Sequence, residues 1–139
     1  MGEDNPLTGR ELPAANFTPV RVLLVDDHEM VRKGLRTLLK TVLSRFICDE
    51  TSDGEQAVEK AIELKPDLIL MDVRMPVMNG IDATRQIRRY LPNTKIVVLT
   101  MHDSAQMADQ AQKAGASAYV LKSDSPEVLR QKIAEVLTV

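Results

Sequence analysis

The feature that most constrains this chain is a repeated alternation of short aliphatic runs with segments of helical periodicity. Each aliphatic run is too short for a buried helix and has the length of a strand. Strands are predicted over residues 20–25, 46–51, 68–72, 95–100 and 118–121, and helices over residues 28–43, 54–64, 81–90, 105–114 and 126–137. Such alternation predicts a parallel sheet covered by helices on both faces, the doubly wound α/β class.

The polarity of the strands predicts their order in the sheet. Residues 20–25, 68–71 and 96–99 are apolar except for Arg21, as expected for central strands. Residues 46–51 contain charged side chains and suit an edge of the sheet. The pattern favours a flavodoxin-like fold of five strands in the order 2-1-3-4-5, with five helices. In such sheets the functional crevice lies at the carboxyl ends of the strands.

Two helices carry further local signals. On the first helix, Arg32, Arg36 and Lys40 share the polar face and are expected to point outward. The last helix has a start signal in Ser125 and Pro126. We expect the serine side chain to cap the first amide groups, with proline at the first helical position.

Composition limits the classes of function. The chain has 139 residues, of which 44% are hydrophobic, which is enough for one globular domain. A formal net charge of −2 provides no basic field, so direct nucleic-acid binding by this domain is not expected. The single cysteine, Cys48, and the lack of a membrane-length apolar run predict a cytoplasmic setting without membrane contact.

The first 19 residues differ from the rest of the chain. They contain Pro6, Pro13 and Pro19, and they show neither helical nor strand periodicity. We therefore predict a flexible N-terminal tail over residues 1–19, followed by one domain over residues 20–139. Whether the tail is a functional linker or a short arm packed on the domain stays open.

Five polar side chains follow the predicted strands at one edge of the sheet. Asp26 and Asp27 follow the first strand, Asp72 ends the third, Thr100 ends the fourth and Lys122 follows the fifth. Three neighbouring carboxylates repel one another unless a cation neutralises them, and Mg²⁺ prefers hard oxygen ligands. The sequence therefore predicts a magnesium site at this edge.

The same residues suggest phosphoryl chemistry. A carboxylate can attack phosphorus when a metal ion and a cation offset the charge of the phosphoryl oxygens. Asp72 is the candidate nucleophile because it stands alone, whereas Asp26 and Asp27 are adjacent and better placed to share the metal. Lys122 can pair with one phosphoryl oxygen and the Thr100 hydroxyl can donate to another. We expect these two residues to act only after phosphorylation.

The motifs resemble those of bacterial two-component response-regulator receivers over about residues 20 to 137. The matching segments are Val25-Asp26-Asp27, residues 72–80 from Asp72 to Gly80, Leu99-Thr100, and residues 115–122 from Gly115 to Lys122. Their order and spacing make the resemblance specific. Residues 26–35 are similar to receivers of the NarL/FixJ type.

The resemblance implies a role for each site residue. Asp72 would accept a phosphoryl group from a sensor histidine kinase in a Mg²⁺-dependent reaction. Asp26 and Asp27 would bind the metal ion together with Asp72, and the backbone carbonyl of Arg74 would be a further ligand. Ser123 stands where most receivers have proline, so the loop geometry after the catalytic lysine stays open.

The resemblance also implies a switch and an output. Thr100 would shift toward the phosphoryl group and Tyr119 would change its rotamer with it. The output would be transcription, through a DNA-binding domain outside this chain, with a receiver homodimer forming on phosphorylation. A receiver of this type is not an enzyme beyond its own phosphorylation and dephosphorylation.

Alternative interpretations stay open at this stage. A Mg²⁺-dependent phosphohydrolase of the haloacid-dehalogenase type would have Asp-x-Asp after the first strand, where this chain has Asp26, Asp27 and His28. A stand-alone receiver acting through protein contacts is another alternative. His28 is expected to tune the site rather than to bind the metal. His102 either affects access of water to the site or is a solvated loop residue.

Overall fold

The computed structural model of the protein describes residues 18–101 and 104–138. In chain order the elements are β1 (Val20–Val25), α1 (Glu29–Val42), β2 (Phe46–Thr51), α2 (Gly54–Leu64), β3 (Leu68–Asp72), α3 (Gly80–Tyr90), β4 (Lys95–Thr100), α4 (Ala105–Ala114), β5 (Ala118–Leu121) and α5 (Pro126–Leu137). Every predicted element is confirmed, and only α1 and α3 have slightly different ends. The predicted tail lies almost wholly outside the described residues.

The strands form one parallel sheet in the order β2-β1-β3-β4-β5, as predicted. The apolar strands β1, β3 and β4 are central, and the more polar β2 lies at an edge. The register places Val25 beside Met71, so the residues that follow them, Asp26 and Asp72, lie at the same level. The carboxyl edge of the sheet therefore brings these two carboxylates together.

Strand side chains alternate between two apolar layers. One layer includes Leu23, Ile69, Ile96 and Val98 and packs against α2, α3 and α4. The other includes Leu24, Leu70, Val97 and Val120 and packs against α1 and α5. Burial on both faces explains why residues 22–25, 68–71 and 96–99 of the central strands are all apolar. Within the described residues, no helix is long and apolar enough to cross a bilayer.

Side-chain caps begin three of the helices, but not the last one. Asp53, Asn79 and Ser104 each accept a hydrogen bond from the amide three residues later. Ser125 was predicted to do the same, and this prediction is wrong. The Val128 amide, which a capping hydroxyl would bind, donates instead to the Ser125 backbone carbonyl at 3.0 Å. Pro126 does occupy the start of α5, as predicted.

Two buried threonines allow a test of how polar groups affect stability. The Thr84 hydroxyl in α3 is buried and has no hydrogen-bond partner among the described residues. The buried Thr94 hydroxyl, in contrast, donates to the Pro66 carbonyl at 3.0 Å. Valine has nearly the shape of threonine, so Thr84→Val should raise the free energy of unfolding by about 1 kcal/mol. Thr94→Val should lower it by about 1 kcal/mol. Urea unfolding of both variants measures this; two shifts of the same sign would contradict the expectation.

Candidate functional site

Two buried carboxylates stand at the centre of the carboxyl edge. Asp26 follows β1 and is fully buried, and Asp72 ends β3 with 5% of its surface exposed. They lie at the same level because their strands pair in parallel register. A buried carboxylate is costly unless a cation or hydrogen bonds offset its charge. Most carboxylates of a single domain are solvated, so this pair marks a functional site.

Lys122 provides the positive charge between the two carboxylates. Its Nζ lies 2.8 Å from Asp26 Oδ2 and 2.9 Å from Asp72 Oδ1. Its backbone amide donates to the Thr100 carbonyl at 2.7 Å, which holds the lysine beside the end of β4. Lys122 was expected to act only after phosphorylation. In this structure it already pairs with both carboxylates.

Burial and charge set the protonation of this group. Burial raises the pKa of Asp72, the nearby charges of Asp26 and Asp27 raise it further, and the hydrogen bond from Lys122 opposes the rise without cancelling it. Burial alone would lower the pKa of Lys122, but its hydrogen bonds to Asp26 and Asp72 outweigh burial and raise it. The ammonium therefore stays charged at neutral pH.

Asp27 and His28 extend the site toward solvent. His28 Nδ1 lies 3.2 Å from Asp26 Oδ1 and 3.0 Å from Asp27 Oδ1. The His28 backbone amide also donates to Asp26 Oδ1 at 2.9 Å. The residue that immediately precedes α1 is His28, so Asp27 lies one residue before the cap position of this helix. His28 contacts both carboxylates, and its tuning role stays a prediction.

The donor set fits a hard divalent cation. One ligand atom each from Asp26, Asp27 and His28 lies within 4.8 Å of the others. Asp72 adds a third carboxylate to this site and forms an ion pair with the Lys122 ammonium. Carboxylate oxygens of this number and charge are typical of Mg²⁺ sites.

The other predicted site residues have well-defined places. Thr100 is buried at the end of β4 and pairs with Leu121, directly before Lys122. Tyr119 on β5 is half-buried and packs against the apolar layer that lies between the sheet and helices α2, α3 and α4. Arg74 is exposed in the loop that follows β3, two residues past Asp72. His102 lies outside the described residues.

Sequence reasoning missed one functional contact. Arg32 was assigned to an outward face of α1, but its side chain is only 16% exposed. Its Nη1 donates to the backbone carbonyl of Asp26 at 2.6 Å, and its Nε donates to Glu50 Oε1 at 2.7 Å. The available signal was Glu50 itself, a charged residue near the end of an edge strand beside this helix.

The family follows from a sequence match. The profile described as the response regulator receiver domain matches residues 22–134, which is most of the chain. The chain belongs to this receiver family. The match confirms the prediction of a response-regulator receiver. The relatives and the solved structure described below confirm the NarL/FixJ type, and the flavodoxin-like fold of the family is confirmed as well. Proteins of this family are generally signalling proteins rather than enzymes.

Two curated relatives of the chain are bacterial regulatory proteins. The chain is 44% identical over 115 residues to the response regulator protein VraR of Staphylococcus saprophyticus, covering 83% of this chain and 55% of that protein. It is 41% identical over 114 residues to the uncharacterized transcriptional regulatory protein YxjL of Bacillus subtilis, covering 82% and 52%. This receiver chain thus spans about half the length of these relatives.

A solved structure agrees with the sequence matches. A two-component response regulator of the LuxR family from Aurantimonas superposes with a TM-score of 0.80 at 38% identity. The superposition covers 87% of this chain and 86% of the other.

Proposed function

We propose that this receiver accepts a phosphoryl group on Asp72 from a sensor histidine kinase in a Mg²⁺-dependent reaction. The observation that carries the proposal is the buried Asp72 carboxylate at the end of the central strand, paired with Lys122 and adjacent to Asp26. An Asp72 oxygen would form the new bond to phosphorus as the bond from phosphorus to the kinase histidine breaks. The electron pair of the broken bond stays on the imidazole.

The carboxylates of Asp26, Asp27 and Asp72 would hold the metal ion, with the Arg74 backbone carbonyl as a further ligand. Bound Mg²⁺ supplies charge neutralisation for the phosphoryl oxygens. Asp26 is held for this role by Lys122 on one carboxylate oxygen and by the His28 amide on the other. The carboxylates are thus oriented by the protein before a ligand binds.

Lys122 and Thr100 would hold the product. Phosphorylation adds charge at Asp72, and the Lys122 ammonium, 2.9 Å from Asp72 Oδ1, is close enough to move to a phosphoryl oxygen. The Thr100 hydroxyl would donate to a second oxygen. The Thr100 carbonyl accepts a hydrogen bond from the Lys122 amide at 2.7 Å. A movement at the end of β4 would therefore be transmitted to the end of β5.

The output is part of the proposal. Thr100 and Tyr119 would act as the switch, with Tyr119 turning as Thr100 shifts, which biases the surface of α4, β5 and α5 toward a second arrangement. A receiver homodimer would form on phosphorylation. The relative YxjL is named a transcriptional regulatory protein, which supports control of transcription through a DNA-binding domain. Within this chain we assign residues 20–139 to the receiver and residues 1–19 to a separate N-terminal segment, and we assign the protein to the cytoplasm.

Mass spectrometry of the intact protein tests the proposal. The wild-type chain is incubated with acetyl phosphate, with and without Mg²⁺. We expect the mass to increase by one phosphoryl group only when Mg²⁺ is present. Removal of Mg²⁺ with a chelator before the reaction serves as the control. Turnover of a phosphate ester without labelling of the protein would favour the phosphohydrolase alternative instead.

A further inference from the structure

Two arginines of α1 bind the same carboxylate but differ in one further contact and in burial. Arg32 Nε donates to Glu50 Oε1 at 2.7 Å, and Arg36 Nη1 donates to Glu50 Oε2. Arg32 alone of the two also donates to the backbone carbonyl of Asp26, at 2.6 Å. Arg32 is also the more buried, with 16% of its side chain exposed against 36% for Arg36.

The bond from Arg32 completes the set of contacts that hold Asp26. The Asp26 amide donates to the Thr51 carbonyl at 3.2 Å. One carboxylate oxygen accepts the His28 amide and the other accepts Lys122. The Asp26 carbonyl belongs to the peptide that joins Asp26 to Asp27. The orientation of this peptide determines where the Asp27 carboxylate points.

We propose that Arg32, held by Glu50, is a positioning residue that orients the Asp26–Asp27 peptide for metal binding. The inference rests on the proposed function, because it concerns the same Mg²⁺ site. Among the described residues, the side chain of Arg32 bonds to Glu50 and to the Asp26 backbone carbonyl, so we infer that it acts on the site through this carbonyl. Glu50 holds the guanidinium at the correct distance by binding its Nε. Partners that orient metal-binding carboxylates strongly affect metal affinity.

Arg32 could affect Mg²⁺ binding through its charge or through its hydrogen bond, and these two roles predict opposite changes in Mg²⁺ affinity when the residue is replaced. A positive charge near a cation site repels the cation, so removal of the charge alone should tighten Mg²⁺ binding. Loss of an orienting hydrogen bond should weaken it, by about tenfold for contacts of this kind. The sign of the change in Arg32→Met therefore separates the two roles. Methionine keeps much of the aliphatic bulk of the side chain.

The experiment measures Mg²⁺ binding by titration calorimetry on the full chain. The variants are R32M, R32K and the matched control R36M, which also removes a positive charge from Glu50 but has no contact with Asp26. We expect R32M to raise the Mg²⁺ dissociation constant about tenfold. R36M should stay close to wild type, and R32K should lie between them because its ammonium can still reach the carbonyl. Acetyl phosphate labelling of R32M should recover as Mg²⁺ is raised.

Several results would overturn the inference. If R32M bound Mg²⁺ as tightly as wild type or more tightly, Arg32 would have no positioning role. Equal weakening of Mg²⁺ binding in R32M and R36M would indicate general damage to α1. Thermal unfolding of each variant shows that it is folded. If wild-type protein binds no Mg²⁺, the proposed function itself fails. If the wild type binds and R32M matches it, only the role of Arg32 fails.

Discussion

Asp72→Asn is expected to abolish covalent labelling by acetyl phosphate and Mg²⁺. Asparagine keeps the size of aspartate and can still accept a hydrogen bond from Lys122, but its amide is not a nucleophile toward phosphorus. The effect is therefore a complete loss of the mass increase rather than a slower reaction. Intact-protein mass spectrometry measures it over the time in which the wild-type chain is fully labelled.

Asp53→Asn provides the matched control for this variant. Asp53 precedes α2 and its side chain accepts the Gln56 amide, a role that asparagine fills equally well. Labelling of Asp53→Asn should equal that of wild type. A mass increase that persists in Asp72→Asn would assign the acceptor role to another residue and would remove the basis of the proposed mechanism.

Asp72→Asn should also stabilise the protein when no metal is added. Burial raises the pKa of Asp72 above its ordinary value of 3.8, so the folded protein holds this proton more tightly than the unfolded chain. The resulting stability is present below the ordinary value and is lost as the pH rises through the folded-state pKa. Asp72→Asn should therefore be more stable than wild type at neutral pH, on the order of 1 kcal/mol.

Urea unfolding at several pH values tests this expectation. The difference between Asp72→Asn and wild type should shrink as the pH falls toward 3.8, because the wild-type carboxyl is then neutral as well. Added Mg²⁺ should stabilise wild type more than the variant, since a ligand stabilises the state that binds it. A variant that is less stable than wild type at neutral pH would show that the Lys122 ion pair outweighs burial.

Gly80→Ala should cause the largest loss of stability. Gly80 begins α3, and an added Cβ would lie 1.9 Å from the Asp72 carbonyl oxygen and 2.8 Å from its carbonyl carbon. These are backbone atoms of the central strand, which is paired on both sides, so that displacing them disturbs the sheet. Overpacking of this kind costs about 3 kcal/mol or more. Thermal unfolding measures the loss.

Gly80→Ala should also disturb the proposed phosphorylation site. Either α3 moves away or the end of β3 is displaced, and both changes disturb the carboxylate at Asp72. We expect slower labelling of Gly80→Ala even below its unfolding temperature. Gly34→Ala is the control: its Cβ would meet no atom within 4 Å in the middle of α1. It should stabilise the protein by about 1 kcal/mol. A similar effect at both glycines would contradict the steric explanation.

The sequence was sufficient for the order of elements because local patterns encode it. Runs such as residues 68–71 are apolar without interruption, which predicts a strand buried on both faces. The convergence of Asp26 and Asp72 was predictable for a related reason. In a parallel sheet the carboxyl ends of the strands meet at one edge, so the residue after each strand can be placed without knowing any side-chain contact.

Contacts between distant segments could not be predicted in this way. Lys122 pairs with both carboxylates in the absence of a phosphoryl group, and Arg32 joins Glu50 to the Asp26 carbonyl. Each contact depends on how one helix or strand is positioned along its neighbour in the folded protein. At Ser125, the choice between hydroxyl and carbonyl as the acceptor depends on the path of the chain into α5. Polar side chains carry no periodic signal for such choices.

By itself, the sequence determined the doubly wound sheet and the set of residues at its carboxyl edge, because hydrophobic periodicity and strand polarity are local properties. Only the tertiary structure decided how that edge is held together. The buried charges of Asp26 and Asp72 require a partner, and Lys122 becomes that partner only when β5 lies beside β4. Likewise, α3 approaches Asp72 so closely that only glycine fits at residue 80. These are consequences of packing between elements that are far apart in the chain.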